Sequence, residues 1–452
     1  MCERQNRVSR PEREPLVDRV WVRRLWTLGV LLVASAFSPC AWGNLPTEGP
    51  TTPPPKKLRD SLTLSSAYFE GMYTNKQLAA FCLEMVRSWV RAEVLLPSQC
   101  ATFVWKMVLF PFVGEKCGTA LHEAGHGLRL RAAYRDGAYA FMHDSKAKDP
   151  TEKNENFFVF LLLEFIESGR AACYPLSEEQ EAGLRSVNRD GEKSKDFRSY
   201  HEKDIAFSAG GINNNTYLSE LISNQIFLQE DVSCPEGFSY FTNQAYGAHY
   251  AGDAKEPGDD PWNLKLDYAA LGIPATLADM ERAGWASVAL SGTTYYIAYS
   301  AWNALWGKEQ PVQHFAFLGI RVPDTFSYLT TKGVSLRTIS EYNVREHLDL
   351  TFGAEYIVYG HSATEFHIGV KQTLGETWNS MSYACSFTFG LGLDAEASVK
   401  VPISRVLGLS QDMVLGADVG VYSRKSLLGE RHSPNLRKDY GANFSVSVSW
   451  MY

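Results

Sequence analysis

The sequence predicts a multidomain chain: an exported, mainly α-helical domain followed by an antiparallel β-barrel of about eight strands. Three observations predict it. From about 61 to 230, within a mainly helical domain spanning 61–310, apolar positions recur every three or four residues, whereas residues 311–452 repeat them every second residue. The first 43 residues have the basic, apolar and small-residue order of a secretory signal. Composition fits a folded chain: 45% of the 452 residues are apolar and 21% charged, which excludes a disordered protein. A net charge of −7 argues against a nucleic-acid partner. The chain has no run of the roughly 18 apolar residues that a spanning helix needs, which disfavours a polytopic helical membrane protein.

The signal is read from Arg4, Arg7, Arg10, Arg13, Arg19, Arg23 and Arg24, then the apolar run Leu25–Phe37, then Ala41-Trp42-Gly43 with cleavage before Asn44. Residues 44–60, rich in Pro and Thr, form a linker. Export leaves Cys82, Cys100, Cys117, Cys173, Cys234 and Cys385 in an oxidising compartment, where disulfides form. No CxxC pair is present, which argues against a cysteine zinc site.

In the helical region Phe81, Met85, Trp89 and Val90 share one face, as do Phe157, Phe160, Leu161 and Phe165. Residues 178–204 are highly charged and read as a solvated excursion, and 231–310 as loop-rich. Tyr295, Tyr296, Trp302 and Trp306 suit a girdle or a domain joint, with core packing the plainer role.

From about residue 312 the period is two. Leu348, Leu350, Phe352, Ala354, Tyr356 and Val358 alternate with Asp349, Thr351, Gly353 and Glu355; the last run, Phe444 to Tyr452, alternates with serines. Runs of about ten residues, apolar on one face and small, polar or charged on the other, have the length of a tilted bilayer-crossing strand. A soluble sandwich also alternates and stays open as the plainer reading. The final strand, ending on an aromatic residue, resembles the C-terminal assembly signal of bacterial outer-membrane barrels. That resemblance implies outer-membrane lipid as a partner.

The chemistry lies in His122-Glu123-Ala124-Gly125-His126. On a helix, His122 and His126 lie one turn apart on one face and are able to hold one Zn²⁺, while Glu123 reaches the metal-bound water as general base. The pentapeptide resembles the HExxH motif of zincin metallopeptidases, which implies a zinc cofactor, a peptide or protein substrate and hydrolysis of the peptide bond. A third ligand is required. Ala132 stands where the metzincin extension would place a histidine. Glu220, on a helix opened by Ala209-Gly210-Gly211-Ile212-Asn213-Asn214-Asn215, resembles the gluzincin arrangement and is the first candidate. The second is Asp253, Asp259 or Asp260; the small-residue–Asn segment resembles that of site-2-type proteases, whose third ligand is a later Asp. His201 and His249 complete the set. Two rivals stay open: a non-enzymatic outer-membrane protein whose helical domain binds a partner or envelope component, and a soluble secreted protease.

Overall fold

A computed structural model describes residues 61–65, 75–92, 96, 98–133, 138–142, 170–174, 197–229, 232–256, 258–305, 316–317, 320–345, 348–374, 381–403 and 413–451. The signal, the linker, most of the charged excursion and the 157–165 face lie outside them. The described helices are α1 (Asn75–Ala92), α2 (Gln99–Val104), α3 (Phe110–Ala133), α4 (Phe197–Gln229), α5 (Cys234–Asp253), α6 (Asp260–Leu271), α7 (Leu277–Leu290), α8 (Gly292–Leu305) and α9 (Leu427–His432). A π-helical turn, Trp105–Leu109, joins α2 to α3. None of these helices is long and apolar enough to cross a membrane.

Local sequence sets several boundaries. Ser233 and Glu236 make a reciprocal capping box at the start of α5, with Pro in the first turn; Thr276 and Asp279 do the same for α7. Gly272, left-handed at φ 72°, ends α6. Helix α4 is buried along nearly its whole length, three consecutive asparagines included. One core gathers Leu78 and Cys82 of α1, Leu121 and Leu128 of α3, Leu218 and Ile222 of α4, and Tyr240 of α5. A second joins Ile212, Leu264, Tyr268 and Met280 to Leu329, Val334 and Leu336 of the sheet.

The strands are β1 (Ser61–Ser65), β2 (Ala138–Met142), β3 (Arg170–Tyr174), β4 (Ala316–Phe317), β5 (Ile320–Arg321), β6 (Asp324–Thr330), β7 (Gly333–Arg345), β8 (Leu348–Gly360), β9 (Thr364–Leu374), β10 (Met381–Phe389), β11 (Leu393–Pro402), β12 (Met413–Ser423) and β13 (Tyr440–Met451). Strands β2 and β3 form a separate ribbon. Strands β6 to β13 pair with their neighbours in chain order, all antiparallel, and the expected turn at Gly360-His361 joins β8 to β9. Two features depart from the expected barrel. Strand β1, in a stretch expected to be helical, pairs outside β13 (Leu64 opposite Val448), giving nine strands in succession. Short β4 and β5 sit at the other edge, where Ile320 pairs with Tyr342. Among the described residues no pairing joins β1 to β4, β5 or β6, so the sheet is antiparallel but not closed. The period-two pattern specifies faces and register, and it holds equally for an open and a closed sheet.

The sheet is polar toward the helices and apolar away from them. Glu396 of β11 takes Lys76 of α1 at 2.8 Å, and Glu355 of β8 takes Arg431 of α9 through two bonds of 2.5 and 2.6 Å. Glu365 and Thr388 are buried on the same side. On the other side Phe352, Phe366, Ile368, Phe387, Val419 and Phe444 are exposed, Phe444 by 68%. Among the described residues Cys82, Cys117 and Cys385 carry free thiols.

Candidate metal centre

Helix α3 presents His122 and His126 on one face, as their spacing requires. Both are buried, at 3% and 4% exposure. Their Nε2 atoms lie 3.1 Å apart and converge on one carboxylate oxygen, Asp260 Oδ2, at 2.9 Å from His122 and 3.1 Å from His126. Among the described residues these three are the one group of His, Cys, Asp or Glu with donor atoms close enough to share an ion.

The donors fit a divalent cation. A tetrahedral zinc site with bonds near 2.0–2.1 Å separates its donors by about 3.3 Å, a little more than the spacing here. The ring of His126 is oriented from behind: its Nδ1 lies 2.8 Å from the carbonyl oxygen of Phe207. A carbonyl accepts, so Nδ1 carries the proton and Nε2 offers its lone pair. His122 Nδ1 is buried without a hydrogen-bond partner.

Helix α4 supplies the floor. Gly211 lies against the His122 ring, so a Cβ there would fall 2.5 Å from Cε1. Asn214 Nδ2 donates to Leu121 O at 2.9 Å, beside the motif; Asn215 Nδ2 donates to Asn243 Oδ1 of α5 at 2.8 Å. Asn213 pairs with the β6 backbone both ways, donating to Leu329 O and accepting from Leu329 N, each at 2.8 Å. The three asparagines, expected as a cap and turn, lie inside α4 and bind three different elements. The walls are aromatic: Tyr246 and Tyr250 of α5 pack on His122 at 5.1 and 5.8 Å, and Phe207 packs on His126 at 5.0 Å.

The electrostatics are coupled. Burial depresses the His126 imidazolium, but the Asp260 charge and hydrogen bond, then the Glu123 charge and the Phe207 carbonyl, carry it up to about 9. Burial works against ionised Asp260, yet the two histidines hold its carboxyl well below the usual range. Burial raises the Tyr246 and Tyr250 phenols, with the Asp260 and Glu123 charges adding to it. Glu123 is half-buried, and its charge reaches His126 and both tyrosines.

The third position differs from the first expectation. Glu220 is buried elsewhere, accepting from the Tyr328 hydroxyl at 2.7 Å with Arg337 Nε at 3.6 Å. It lies nine residues beyond Gly211, so it is about 13 Å farther along α4 and half a turn round, on the opposite face. Asp260, one of the second candidates, faces the two histidines instead, because it opens α6, where its backbone N–H donates to the Tyr250 hydroxyl at 3.2 Å. Asp259 caps the preceding loop, accepting from the N–H groups of Lys255 and Glu256. Asp253 is exposed beside His249, and His201 binds Asp267 at 2.6 Å. Sequence reasoning missed Phe207, Tyr246 and Tyr250; only the one-turn spacing of the two tyrosines was there to be read, and a backbone carbonyl leaves no signal.

Comparison with protein-family models, curated proteins and solved structures finds no match to this chain. The zincin likeness therefore stays confined to the motif itself.

Proposed function

We propose that the protein is a zinc-dependent hydrolase of peptide bonds, carried at a bacterial outer membrane by its β-sheet. The observation that carries the reading is the convergence of His122 Nε2, His126 Nε2 and Asp260 Oδ2 within 3.1 Å of one another, beside Glu123. His122, His126 and Asp260 would hold the ion. Bound zinc would supply a water with a pKa near 7 and polarise the scissile carbonyl. Glu123 would take the proton from that water and return it to the leaving amine, as the second residue of HExxH does. Phe207 fixes the His126 ring, Tyr250 fixes the start of α6, and the aromatic walls keep water off both imidazoles. Of the two resemblances for the third ligand, the side chains favour the site-2-type one, with a glycine-rich helix against the motif and a later Asp.

The membrane part rests on the polarity of the sheet. Strands β7 to β13 are 9 to 13 residues long, enough to cross a bilayer when tilted. Among the described residues their charged face meets protein and their apolar face is exposed, the reverse of a soluble sheet. The substrate would be a peptide or protein segment of the cell envelope.

The test is metal analysis of the purified full chain, with turnover of a peptide library. One zinc per chain, retained in Glu123→Gln together with loss of cleavage, is the expected outcome. Absence of stoichiometric zinc would return the chain to the non-enzymatic reading.

A further inference from the structure

Ala283 to Leu305, most of α7 and all of α8, reads AGWASVALSGTTYYIAYSAWNAL, without one Asp, Glu, Lys, Arg or His. It is apolar on both sides: Tyr296 and Ile297 are buried in the first core, and the exposed side is apolar too. The polar side chains Ser287, Ser291, Thr293 and Asn303 are buried. Ser291 Oγ donates to Asp324 Oδ1 at 3.0 Å, Thr293 N donates to the same oxygen at 2.7 Å, and Gln244 Nε2 donates to Ser287 Oγ at 3.2 Å. Every exposed side chain described in this stretch is Ala, Leu, Tyr or Trp. Trp285 and Leu290 project from α7; Tyr295, Tyr299 and Trp302 form one stripe on α8 at one-turn spacing, Trp302 exposed by 57%. A surface helix in water keeps its outer side polar, whereas a helix apolar all round is covered by protein or lipid.

We infer that α7 and α8 form a membrane-interface surface whose occupant is the phospholipid bilayer. Each helix has 14 residues, about 21 Å, too short to span. Lying flat, such a helix sinks its Trp and Tyr side chains to the headgroup boundary. The surface continues into the apolar side of the sheet: Gly292 N donates to Pro323 O at 2.9 Å at the bend, and the neighbouring Val322 and Ile320 are exposed. A protein partner would call for a polar rim, and charge here is confined to the first turns of α7. The charges of α7 lie at its start, where the exposed Arg282 pairs with Asp279 at 3.4 Å beside Glu281; the surface thus has no net positive charge to favour anionic lipid, and zwitterionic phosphatidylcholine suffices as the probe. Helix α7 packs against α5, which carries Tyr246 and Tyr250, through Gly284 on Ala248. The metal centre therefore stands close to the lipid surface, and the substrate class of the hydrolase proposed above becomes membrane-attached peptide.

The experiment reconstitutes the full chain in phosphatidylcholine vesicles with plain or dibrominated acyl chains, alongside Trp285→Phe/Trp302→Phe, which keeps the surface apolar. The emission lost in the variant reports these two indoles. Brominated chains are expected to quench that difference by about half or more, at the depth interfacial helices reach, and equally at low and high salt. A difference signal equal in both lipids overturns the inference. So does an unquenched signal with a dimer that Trp302→Glu dissolves, which assigns the surface to a second copy. Vesicle flotation and zinc content of the same samples report separately on the sheet and on the metal centre, so failure of α7–α8 is distinguishable from failure of either.

Discussion

Gly125 and Gly210 cross with no room between them: a Cβ on Gly125 would lie 2.4 Å from the Gly210 carbonyl oxygen, and one on Gly210 would lie 2.6 Å from that of Gly125. This contact sets how closely the motif helix α3 meets α4, and it puts Gly211 under His122 and the Phe207 carbonyl behind His126. Gly125→Ala or Gly210→Ala pushes backbone against backbone, which neither helix accommodates by a rotamer change. Each is expected to cost on the order of 1–3 kcal/mol in denaturant unfolding. Gly211→Ala acts differently. Its methyl displaces the His122 ring, and zinc affinity is expected to fall about 10–100-fold with a smaller loss of stability. Competition against a chromogenic chelator reads the first quantity and urea titration the second. Wild-type affinity in Gly211→Ala contradicts the packing.

Asp260 and Glu220 make opposite predictions. Asp260→Asn removes the anionic donor, so the full chain is expected to purify without stoichiometric zinc while its far-ultraviolet circular dichroism is unchanged. Glu220→Gln is expected to leave zinc content unchanged while weakening the contacts to Tyr328 and Arg337. The expected cost is about 1–3 kcal/mol of stability, from a buried hydroxyl and guanidinium losing their charged partner. Zinc retained in Asp260→Asn and lost in Glu220→Gln would restore the gluzincin-like assignment.

The contrast between these two carboxylates shows what the sequence carries. His122 and His126 were legible because a helix converts four-residue spacing into one face. Strands β8, β9, β10, β12 and β13 were legible because period two survives any closure of the sheet. Asp260 lies 138 residues from His122, and no spacing rule connects them. Glu220 satisfied every local criterion for a helix-borne ligand except its phase: nine residues from Gly211 is half a turn. Strand β1 was unreadable for a similar reason, since a short strand acquires its identity from β13, at the far end of the chain.

Asn213 and Asn214 are neighbours with separable roles. Asn213→Ala leaves the N–H and carbonyl of Leu329 unpaired at the edge of β6, about 1–3 kcal/mol for each buried group. Its expected phenotype is a lower unfolding midpoint with normal zinc content. Asn214→Ala removes the bond to Leu121 O, next to His122, the first histidine of the motif. It is expected to lower stability, by about 1 kcal/mol, and, with the proposed metal site at His122 and His126, zinc affinity as well. Identical effects of the two variants on zinc would mean that α4 does not hold the motif through Asn214.

Cys82 of α1 and Cys117 of α3 test the packing of the N-terminal helix on the motif helix. Burial pushes the Cys117 thiol up to about 12; burial also raises Cys82, with the neighbouring Cys117 adding to it. The thiolate is the form that alkylates. At pH 8 a thiol titrating near 12 is ionised in about one molecule in 10⁴, against roughly one in four for a free cysteine near 8.5. Iodoacetamide is therefore expected to spare Cys117 in the folded chain at pH 8 and to label it at once in guanidinium. Because the raised value favours the neutral thiol, the folded-state rate should climb about tenfold per pH unit above 8, well past the point where a free thiol levels off. Mass spectrometry of the tryptic peptides gives the rate at each pH. A rate that plateaus near pH 9 in the folded protein would mean that α1 does not cover α3, and the core that supports His122 and His126 would have to be redrawn.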